Sequence, residues 1–279
     1  MCWMCDKYGE GADYWYLNPE LYARNLYKLR EAGQKTAAYG QVAGTAQRAI
    51  SQGDLIRIRN DEPERYADAV KLFNEDNLNF TADQAITLQE AYQIADIGAP
   101  MASMMCTCRI HDRAFDERDP MAYSCLGTGP GMFKWERWPE RYKGGVYFMT
   151  PDEVKEWLRS WNKRGFMHTI MTAFGVPYIE GICNCEYPAC GAIRNRLDLG
   201  SMKLIKGHYI AHVDYEKCNG CGVCVQRCQF GACKYEVRID KSNIDPMRCF
   251  GCGLCETGCP RAAITMVDKA GLPGLKGVW

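Results

Sequence analysis

The sequence lacks the features of a secreted or membrane-spanning protein. Its first residues contain no apolar stretch followed by small residues, so we expect no signal peptide. No run approaches the roughly 18 apolar residues that a transmembrane helix needs, so we expect no membrane span. Both absences argue against a disulfide-stabilised secreted protein and predict a reducing, cytoplasmic environment.

An excess of charge of either sign is also missing, since 34 lysines and arginines balance 34 aspartates and glutamates. Without a basic surplus, nothing in the composition indicates nucleic acid as a partner. The glycine-rich segment 127–131 lacks the G-x-G-x-x-G spacing that holds a nucleotide phosphate. We therefore expect neither a nucleotide site nor a flavin site.

Cysteine is abundant instead, with 17 among 279 residues. In a reducing compartment such a content indicates metal binding or redox chemistry rather than disulfides. Nine of the cysteines fall between positions 218 and 259, and the other eight are spread between positions 2 and 190. The first group has a regular spacing and the second does not, so they lead to predictions of different strength.

The C-terminal cysteines belong to an internal repeat. Segment 214–236 superimposes on segment 245–267 with a constant offset, and each has the form Asp-x3-Cys-x-Gly-Cys-Gly-x-Cys-x3-Cys. A four-iron cluster needs four thiolates at the corners of a tetrahedron, and three closely spaced cysteines supply three corners from one loop. The glycines let the backbone approach the cluster and turn its amides toward the sulfides. The repeat therefore predicts two [4Fe–4S] clusters.

In such a repeat the fourth corner of each cluster comes from the distant cysteine of the other half. Cluster I is accordingly assigned to Cys218, Cys221, Cys224 and Cys259, and cluster II to Cys249, Cys252, Cys255 and Cys228. Zinc also binds Cys-x2-Cys pairs, but it does not require the third and fourth cysteines or a duplicate of the set. The ninth cysteine, Cys233, aligns with Ile264, so we interpret it as a small buried hydrophobic residue and not as a ligand.

With these motifs, the segment from about 209 to 267 resembles the bacterial two-[4Fe–4S] ferredoxin family, and all eight ligand positions are present. The resemblance implies low-potential one-electron transfer. One departure is Gln229-Phe230, where the family usually has a proline after the fourth cysteine. We expect this change to affect the turn and not the ligands.

The whole chain is predicted to be an α+β protein with two domains, which its length allows. Residues 1–207 are predicted to form a mainly helical, cysteine-rich N-terminal domain with short strands and long loops. Residues 208–279 are predicted to form the duplicated ferredoxin-like module with a C-terminal tail. Capping signals predict helices at 88–97 and after Thr150, whereas residues 34–60 and 110–149 have no clear period.

Six N-terminal cysteines are predicted to form a third metal centre: Cys106, Cys108, Cys125, Cys183, Cys185 and Cys190. Two Cys-x-Cys pairs among them end strand-like runs, and a spacing of two along a strand puts both thiols on one face. A further [4Fe–4S] cluster is favoured because it would extend an electron path, while zinc and the absence of any metal stay open as alternatives. Cys2 and Cys5 form a lone Cys-x2-Cys pair and are candidate ligands of one more centre.

The region from about 101 to 211 also resembles an N-terminal region of uncharacterised dicluster-ferredoxin proteins. That region joins a Cys-x-Cys-Arg stretch to a Cys-Asn-Cys stretch ahead of the ferredoxin repeat. The corresponding stretches here are 106–109 and 183–185. Relatives often carry more consecutive cysteines after the second stretch, whereas this chain has Glu-Tyr-Pro-Ala before Cys190.

The favoured function is that of an electron-transfer subunit. Such a subunit would pass low-potential electrons between a redox partner protein and the catalytic subunit of a larger anaerobic oxidoreductase, in a hetero-oligomer. The alternative is a stand-alone iron–sulfur enzyme, or a reductive activator, with a catalytic cluster in the N-terminal domain. The sequence identifies no catalytic residue.

Overall fold

The computed structural model describes residues 3–9, 11–22, 50–80, 83–113, 119–129, 131–137, 145–172, 179–275 and 277–278. Its helices are α1 Trp3–Tyr8, α2 Gln52–Asp61, α3 Tyr66–Phe80, α4 Leu88–Ile97, α5 Met132–Arg137, α6 Pro151–Lys163, α7 Gly191–Leu199, α8 Val223–Arg227 and α9 Leu254–Thr257. Its strands are β1 Asp83–Ile86, β2 Met101–Met104, β3 Cys125–Thr128, β4 Tyr147–Met149, β5 Met167–Thr172, β6 Ile179–Cys185, β7 Leu204–Ile205, β8 Tyr209–Val213, β9 Cys233–Glu236, β10 Lys241–Ile244 and β11 Ile264–Asp268. Among the residues that the structure describes, no helix combines the length and apolar character needed to cross a membrane.

A mixed sheet forms the centre of the N-terminal part. Its order in the described residues is β4-β2-β3-β6-β5-β1-β7, with all neighbours antiparallel except β1 and β7. Short strands were expected in this mainly helical region, but their pairing into one seven-stranded sheet was not. Several of its strands are buried on both faces and therefore lack the alternation of polar and apolar residues that identifies a strand in sequence.

Two predicted helix starts are present. Thr87 begins α4 and Thr150 begins α6, each accepting a hydrogen bond from the backbone N–H three residues later. The carboxylates of Glu90 and Glu153 accept a hydrogen bond from the backbone N–H of Thr87 and Thr150, respectively, which completes each capping box.

Two predictions about irregular segments were incomplete. Residues 52–61 form α2, which Ser51 caps in the same way. Residues 125–128 and 132–137 form β3 and α5 inside the segment that has no clear period. The strand-like run before Cys106 forms β2, which ends at Met104, and a π-helical turn follows at Cys108–Asp112.

The two faces of the sheet bury different groups because side chains alternate along each strand. Leu126, Ile170 and Ile182 pack under α4 and α6 in the largest buried cluster. The opposite face carries Met167 and Cys185, and it is covered by α7 and by residues of the C-terminal module. The cysteine-bearing face of the sheet therefore lies toward the module.

The C-terminal module has two halves with the same local hydrogen bonds. Strand β8 pairs with β11, and β9 pairs with β10, both antiparallel. The Cys218 N–H donates to the Asp214 carbonyl at 3.0 Å, and at the equivalent position of the second half the Cys249 N–H donates to the Asp245 carbonyl at 3.0 Å. Each half therefore folds its cysteine loop between two strands in the same way.

Candidate metal centres

Four of the module cysteines line one cavity: Cys218, Cys221, Cys224 and Cys259. The first three come from one loop, and Cys259 comes from the other half. Cys224 is buried and lies 3.1 Å from the Ser242 hydroxyl, whereas Cys221 is exposed. This cavity therefore has a buried side and a side that faces solvent.

The other five line a second cavity: the four candidate ligands Cys228, Cys249, Cys252 and Cys255, and also Cys233. Its walls include Phe230, Phe250 and Leu254, which are all buried. The grouping of the eight cysteines into these two cavities is the same as in the sequence assignment to clusters I and II. Ligation itself stays a prediction.

Both cavities have the features that a four-iron cluster needs. The Ala232 N–H donates to the Cys228 sulfur at 3.3 Å, and its counterpart in the repeat, the Ala263 N–H, donates to the Cys259 sulfur at 3.3 Å. A bond from the Cys233 thiol, together with such backbone bonds, lowers the pKa of Cys228 to about 5. Donors of this kind stabilise anionic sulfur, so the residues that line the two cavities fit a [4Fe–4S] cluster.

Glycine allows the backbone to close around each cavity. Gly220 and Gly251 have φ angles of +69° and +72°. A Cβ atom on Gly220 would lie 2.4 Å from the Asp240 carbonyl oxygen, and one on Gly251 would lie 2.3 Å from that of Tyr209. The cysteine loops are thus packed against neighbouring backbone at positions that only glycine can occupy.

The six N-terminal cysteines that were predicted to form a third centre come together in space. The register of β3 and β6 places Cys125 directly opposite Cys183, with 3.8 Å between the sulfurs. Cys190 precedes the first residue of α7, and its sulfur is 3.2 Å from that of Cys185. Cys183 and Cys185 share one face of β6, as their spacing predicted.

Further contacts close these cysteines into a ring. The Cys106 thiol contacts Cys108 and Cys125, and Cys108 also contacts Cys190. The ring is completed by the contact of Cys183 with Cys185. In order around the ring, the six residues are Cys106, Cys108, Cys190, Cys185, Cys183 and Cys125; below they are called the six-cysteine ring.

The six-cysteine ring is buried but has hydrogen-bond donors for sulfur. Bonds from the Cys108 and Cys125 thiols, assisted by the Arg109 backbone and charge, lower the pKa of Cys106. The hydroxyl of Thr169 lies 3.6 Å from the Cys185 sulfur, and the backbone of Ile193 bonds to Cys190. Bonds to neighbouring thiols raise the pKa of Cys108, Cys125 and Cys185, so these groups would become thiolates only on binding a metal. The Thr169 hydroxyl and the Ile193 backbone are the donors that would remain at the sulfurs once the thiols are deprotonated.

The ring differs from the module cavities in one respect, because its sulfurs contact each other directly. Among the described residues, no group of three or more His, Cys, Asp or Glu side chains has an arrangement for a single metal ion. The module cysteines are not arranged around a single ion either, since the ligands of a four-iron cluster stand apart around a core and do not converge on one atom. The lack of a single-ion arrangement therefore does not distinguish the six-cysteine ring from the module cavities.

Cys5, a candidate ligand of one more centre, does not join the ring. Cys5 is buried in another part of the structure, where its sulfur is 3.3 Å from Nε2 of His208. Cys2 lies outside the described residues. The existence of one more centre at this Cys-x2-Cys pair stays a prediction.

An aromatic pair separates the six-cysteine ring from the second module cavity. Phe230 and Phe250 stack with 4.0 Å between ring centroids and 14° between planes. Both belong to the hydrophobic cluster that contains Cys185 and Cys190, and Cys228 packs against the same cluster. The ring and the second cavity therefore share one buried region.

Gln229 connects these two sites by hydrogen bonds. Its Nε2 donates to the Gly165 carbonyl at 3.0 Å and to the Cys185 carbonyl at 3.3 Å, and its Oε1 accepts from the Tyr187 N–H at 2.9 Å. Gln229 directly follows Cys228, so one side chain joins a residue of the second cavity to a residue of the six-cysteine ring. A proline at this position could make none of these bonds.

Arg227 directly precedes Cys228 and also connects the module to the N-terminal part of the chain. Its guanidinium donates to the carbonyls of Asn162 at 2.8 Å and Lys163 at 3.2 Å, at the C-terminus of α6, and to the Leu254 carbonyl at 2.8 Å. A cation is favourable at a helix C-terminus, where carbonyls lack intrahelical partners. The sequence analysis assigned no connecting role to Arg227 or Gln229. The absence of the usual proline at position 229 was the signal that could have indicated the role of Gln229.

Comparison with known families agrees with the module geometry. Residues 210–267 match the family model of the 4Fe-4S dicluster domain. A search of the curated proteins gave no match. The C-terminal module is thus a [4Fe–4S] dicluster domain of ferredoxin type, and it supports an iron–sulfur electron-transfer role. The matched segment includes none of the six-cysteine ring.

Proposed function

We propose that this protein is an electron-transfer subunit with three metal centres, two [4Fe–4S] clusters in residues 208–279 and a third centre on the six-cysteine ring in residues 1–207. The observation that carries the proposal is the division of eight cysteines between two cavities, four in each, with backbone donors at their sulfurs. When bound, a [4Fe–4S] cluster supplies reversible one-electron transfer.

The two cavities of the module differ in their exposure to solvent. We call the enclosed second cavity the inner end of the module and the first cavity its outer end. The second cavity is enclosed by Phe250 and Leu254 and faces the N-terminal domain, where water is excluded. The first cavity reaches solvent at Cys221. We assign the outer end to docking of a redox partner or catalytic subunit, in a hetero-oligomer, because electron transfer requires close approach of the two proteins.

The surface beside the outer end has the composition of a docking site. Val237 and Ile239 are exposed by 80% and 50% and lie in the β9–β10 hairpin. This hairpin contacts the cysteine loop, because Lys241 bonds to the Cys218 carbonyl. Exposed apolar side chains next to an accessible ligand favour contact with another protein.

The six-cysteine ring is assigned to an iron–sulfur centre, and zinc is the alternative. All-thiolate surroundings suit both metals. Iron–sulfur is favoured by position, because the ring shares a buried region with the second module cavity and is joined to Cys228 through Gln229. A zinc site would need no such connection.

Metal analysis of the anaerobically purified full chain tests the proposal. We expect about eight irons and eight sulfides for the module and about four more of each for the ring. The double variant Cys185→Ser/Cys190→Ser should lose the additional iron and keep the module signals in the EPR spectrum of the reduced protein. The variant Cys5→Ser is the matched control, because Cys5 lies outside the ring, and it should lose nothing.

Two outcomes would contradict the proposal at different points. Fewer than about eight irons in the wild-type chain would refute the two-cluster module. Zinc together with only the module iron would refute the third iron–sulfur centre and leave the module unaffected.

A second candidate function is that of a reductase for a small molecule. A cavity of about 700 Å³ is lined by residues that include Tyr14, His208 and Tyr209, and this volume is typical of ligand sites. It adjoins the loop of the second module cavity, because the Tyr209 carbonyl packs against Gly251. Reoxidation of the reduced protein by a small molecule without any partner protein, slowed in Tyr14→Ala, would favour this function over the first.

A further inference from the structure

A buried arginine lies beside the six-cysteine ring. Arg109 directly follows Cys108, and its backbone N–H donates to the Cys106 carbonyl at 3.2 Å. Arg109 is only 1% exposed, and its guanidinium carbon lies 4.9 Å from the centre of the Phe166 ring. Arginine stays protonated in proteins, so this side chain places a full positive charge in the interior next to the ring.

The guanidinium bonds to both strands that supply ring cysteines. Nη1 of Arg109 donates to the Ser124 hydroxyl and lies 3.5 Å from the Asn184 carbonyl oxygen. Ser124 directly precedes Cys125 of β3, and Asn184 lies between the two ring cysteines of β6. The Asn184 side-chain amide also donates to the Ser124 carbonyl at 2.9 Å. Arg109 therefore joins its own segment to β3 and β6 at the point where the ring forms.

A carboxylate pairs with Arg109 on the side of the last ring cysteine. Nη2 of Arg109 lies 3.1 Å from Oε1 of Glu186, and the Glu186 carbonyl accepts from the Cys190 N–H at 2.8 Å. The Glu186 side chain is 34% exposed, whereas that of Arg109 is 2% exposed. Because water stabilises the carboxylate but does not reach the guanidinium, Glu186 alone compensates the buried positive charge incompletely.

One donor of the guanidinium is also unmatched. Within the described part of the chain, Nε of Arg109 is buried and has no hydrogen-bond acceptor. A buried donor without an acceptor costs free energy and is rare in folded proteins. Burial opposes the charge of Arg109, but the bond to Glu186 and the attraction of the Cys106 and Cys185 sulfurs raise the pKa of the guanidinium. The unmatched charge and the unmatched donor therefore belong to a group that attracts ring sulfurs.

We propose that Arg109 is a positioning residue of the ring centre: it holds the cysteine segments together, and its positive charge offsets the negative charge of the metal-bound thiolates. An all-thiolate centre is anionic, so removal of a buried cation beside it disfavours both the binding of the metal and the addition of an electron. This inference rests on the proposed function, because it requires a metal centre at the six-cysteine ring.

The test combines an EPR-monitored redox titration of the metal-loaded full chain with its metal content after exposure to a chelator. The signals and metal that the double variant Cys185→Ser/Cys190→Ser loses belong to the ring. Arg109→Gln keeps an amide and loses the charge, so we expect the ring metal to be bound about 10-fold to 100-fold more weakly and the midpoint potential of the ring centre to fall. Arg109→Lys keeps the charge without the fork of donors and should retain most of the wild-type potential.

The matched control is Arg164→Gln. Arg164 also packs on an aromatic side chain, with its guanidinium carbon 5.0 Å from the centre of the Trp161 ring, but it is exposed to solvent. The same loss of charge at this position should change neither the midpoint potential nor the resistance to the chelator.

The outcomes separate this inference from the proposed function. An unchanged midpoint potential and unchanged chelator resistance in Arg109→Gln would overturn the inference and leave the ring centre in place. Equal falls in Arg109→Gln and Arg109→Lys would also overturn it, because lysine keeps the charge. If Arg109→Gln does not retain any ring metal, Arg109→Lys decides: retention of the metal there supports the role of the charge, and its loss refutes that role.

The metal of the wild-type chain tests the proposed function independently. Zinc at the ring would contradict the iron–sulfur assignment of the proposed function, and the chelator comparison between Arg109→Gln and Arg109→Lys would still decide the role of Arg109. A wild-type ring without any metal would contradict the third centre and the inference together, and would leave the two clusters of the module in place.

Discussion

Substitution of Gln229 by leucine tests the connection between the module and the six-cysteine ring. Leucine is close to glutamine in size but has no amide, so the substitution removes three hydrogen bonds without opening a large cavity. The lost bonds are those to the carbonyls of Gly165 and Cys185 and the one from the Tyr187 N–H. All three hold N-terminal segments against the residue that follows Cys228.

The magnitude follows from the number of bonds and their exposure. Each hydrogen bond contributes a net free energy of about 0.5–1.5 kcal/mol, so three give about 1.5–4.5 kcal/mol. Tyr187 is 46% exposed, and water replaces part of its bond. We therefore take a value near the lower end of this range, about 2 kcal/mol, which corresponds to a change of roughly 30-fold in a local opening equilibrium.

Hydrogen exchange of the Tyr187 amide in the metal-loaded chain measures this equilibrium. We expect exchange in Gln229→Leu to be roughly 30-fold faster than in the wild type, because the N–H has lost its acceptor. The following residue, Pro188, has no amide, so the signal of this segment is easy to assign. The control is Gln226→Leu, at an exposed position of α8, where no change is expected.

The connection would be refuted by equal exchange of the Tyr187 amide in Gln229→Leu and the wild type. It would also be refuted if the Gln226→Leu control accelerated exchange to the same extent, since the effect would then not depend on these three bonds.

Two further predictions concern single positions. The variant Gly251→Ala should lose one of the two module clusters, because its Cβ would lie 2.3 Å from the Tyr209 carbonyl oxygen. The control Gly271→Ala has open space around the new methyl group and should keep its iron. The iron content of each variant measures the outcome. His168 is fully buried and burial lowers its pKa to about 4, so the unfolded chain takes up a proton first as the pH falls below 6.5. The free energy of unfolding of the metal-loaded chain should therefore drop by about 2 kcal/mol more between pH 7 and pH 5 in the wild type than in His168→Gln. Parallel pH profiles in denaturant unfolding would contradict the assignment to His168.

Local sequence was sufficient for the parts of the protein that depend on spacing. The cysteine repeat predicted a dicluster module because three closely spaced cysteines in each half are typical of a loop that binds a four-iron cluster, and a family match over residues 210–267 agrees. Helices α4 and α6 were predictable because their capping boxes at Thr87 and Thr150 are made of residues three positions apart. In each case the interacting groups are close in the chain.

The central sheet was not predictable in the same way. Its strands are short, and β3 is buried throughout, so no alternation of polar and apolar residues marks it. Helix α2 was missed although Ser51 and Asp54 form its capping box, because its mostly polar residues give only a weak period.

The sequence by itself determined the two cysteine sets and the four-iron chemistry of the C-terminal set, because ligand type and spacing are local properties. Only the tertiary structure decided that six of the N-terminal cysteines form one ring, since strand register places Cys125 opposite Cys183 and a helix start brings Cys190 to Cys185. It also decided the contacts of Gln229, which depend on groups that approach from the N-terminal part of the chain. Hydrogen bonds between distant segments leave no period in the sequence, and the fold alone brings those segments together.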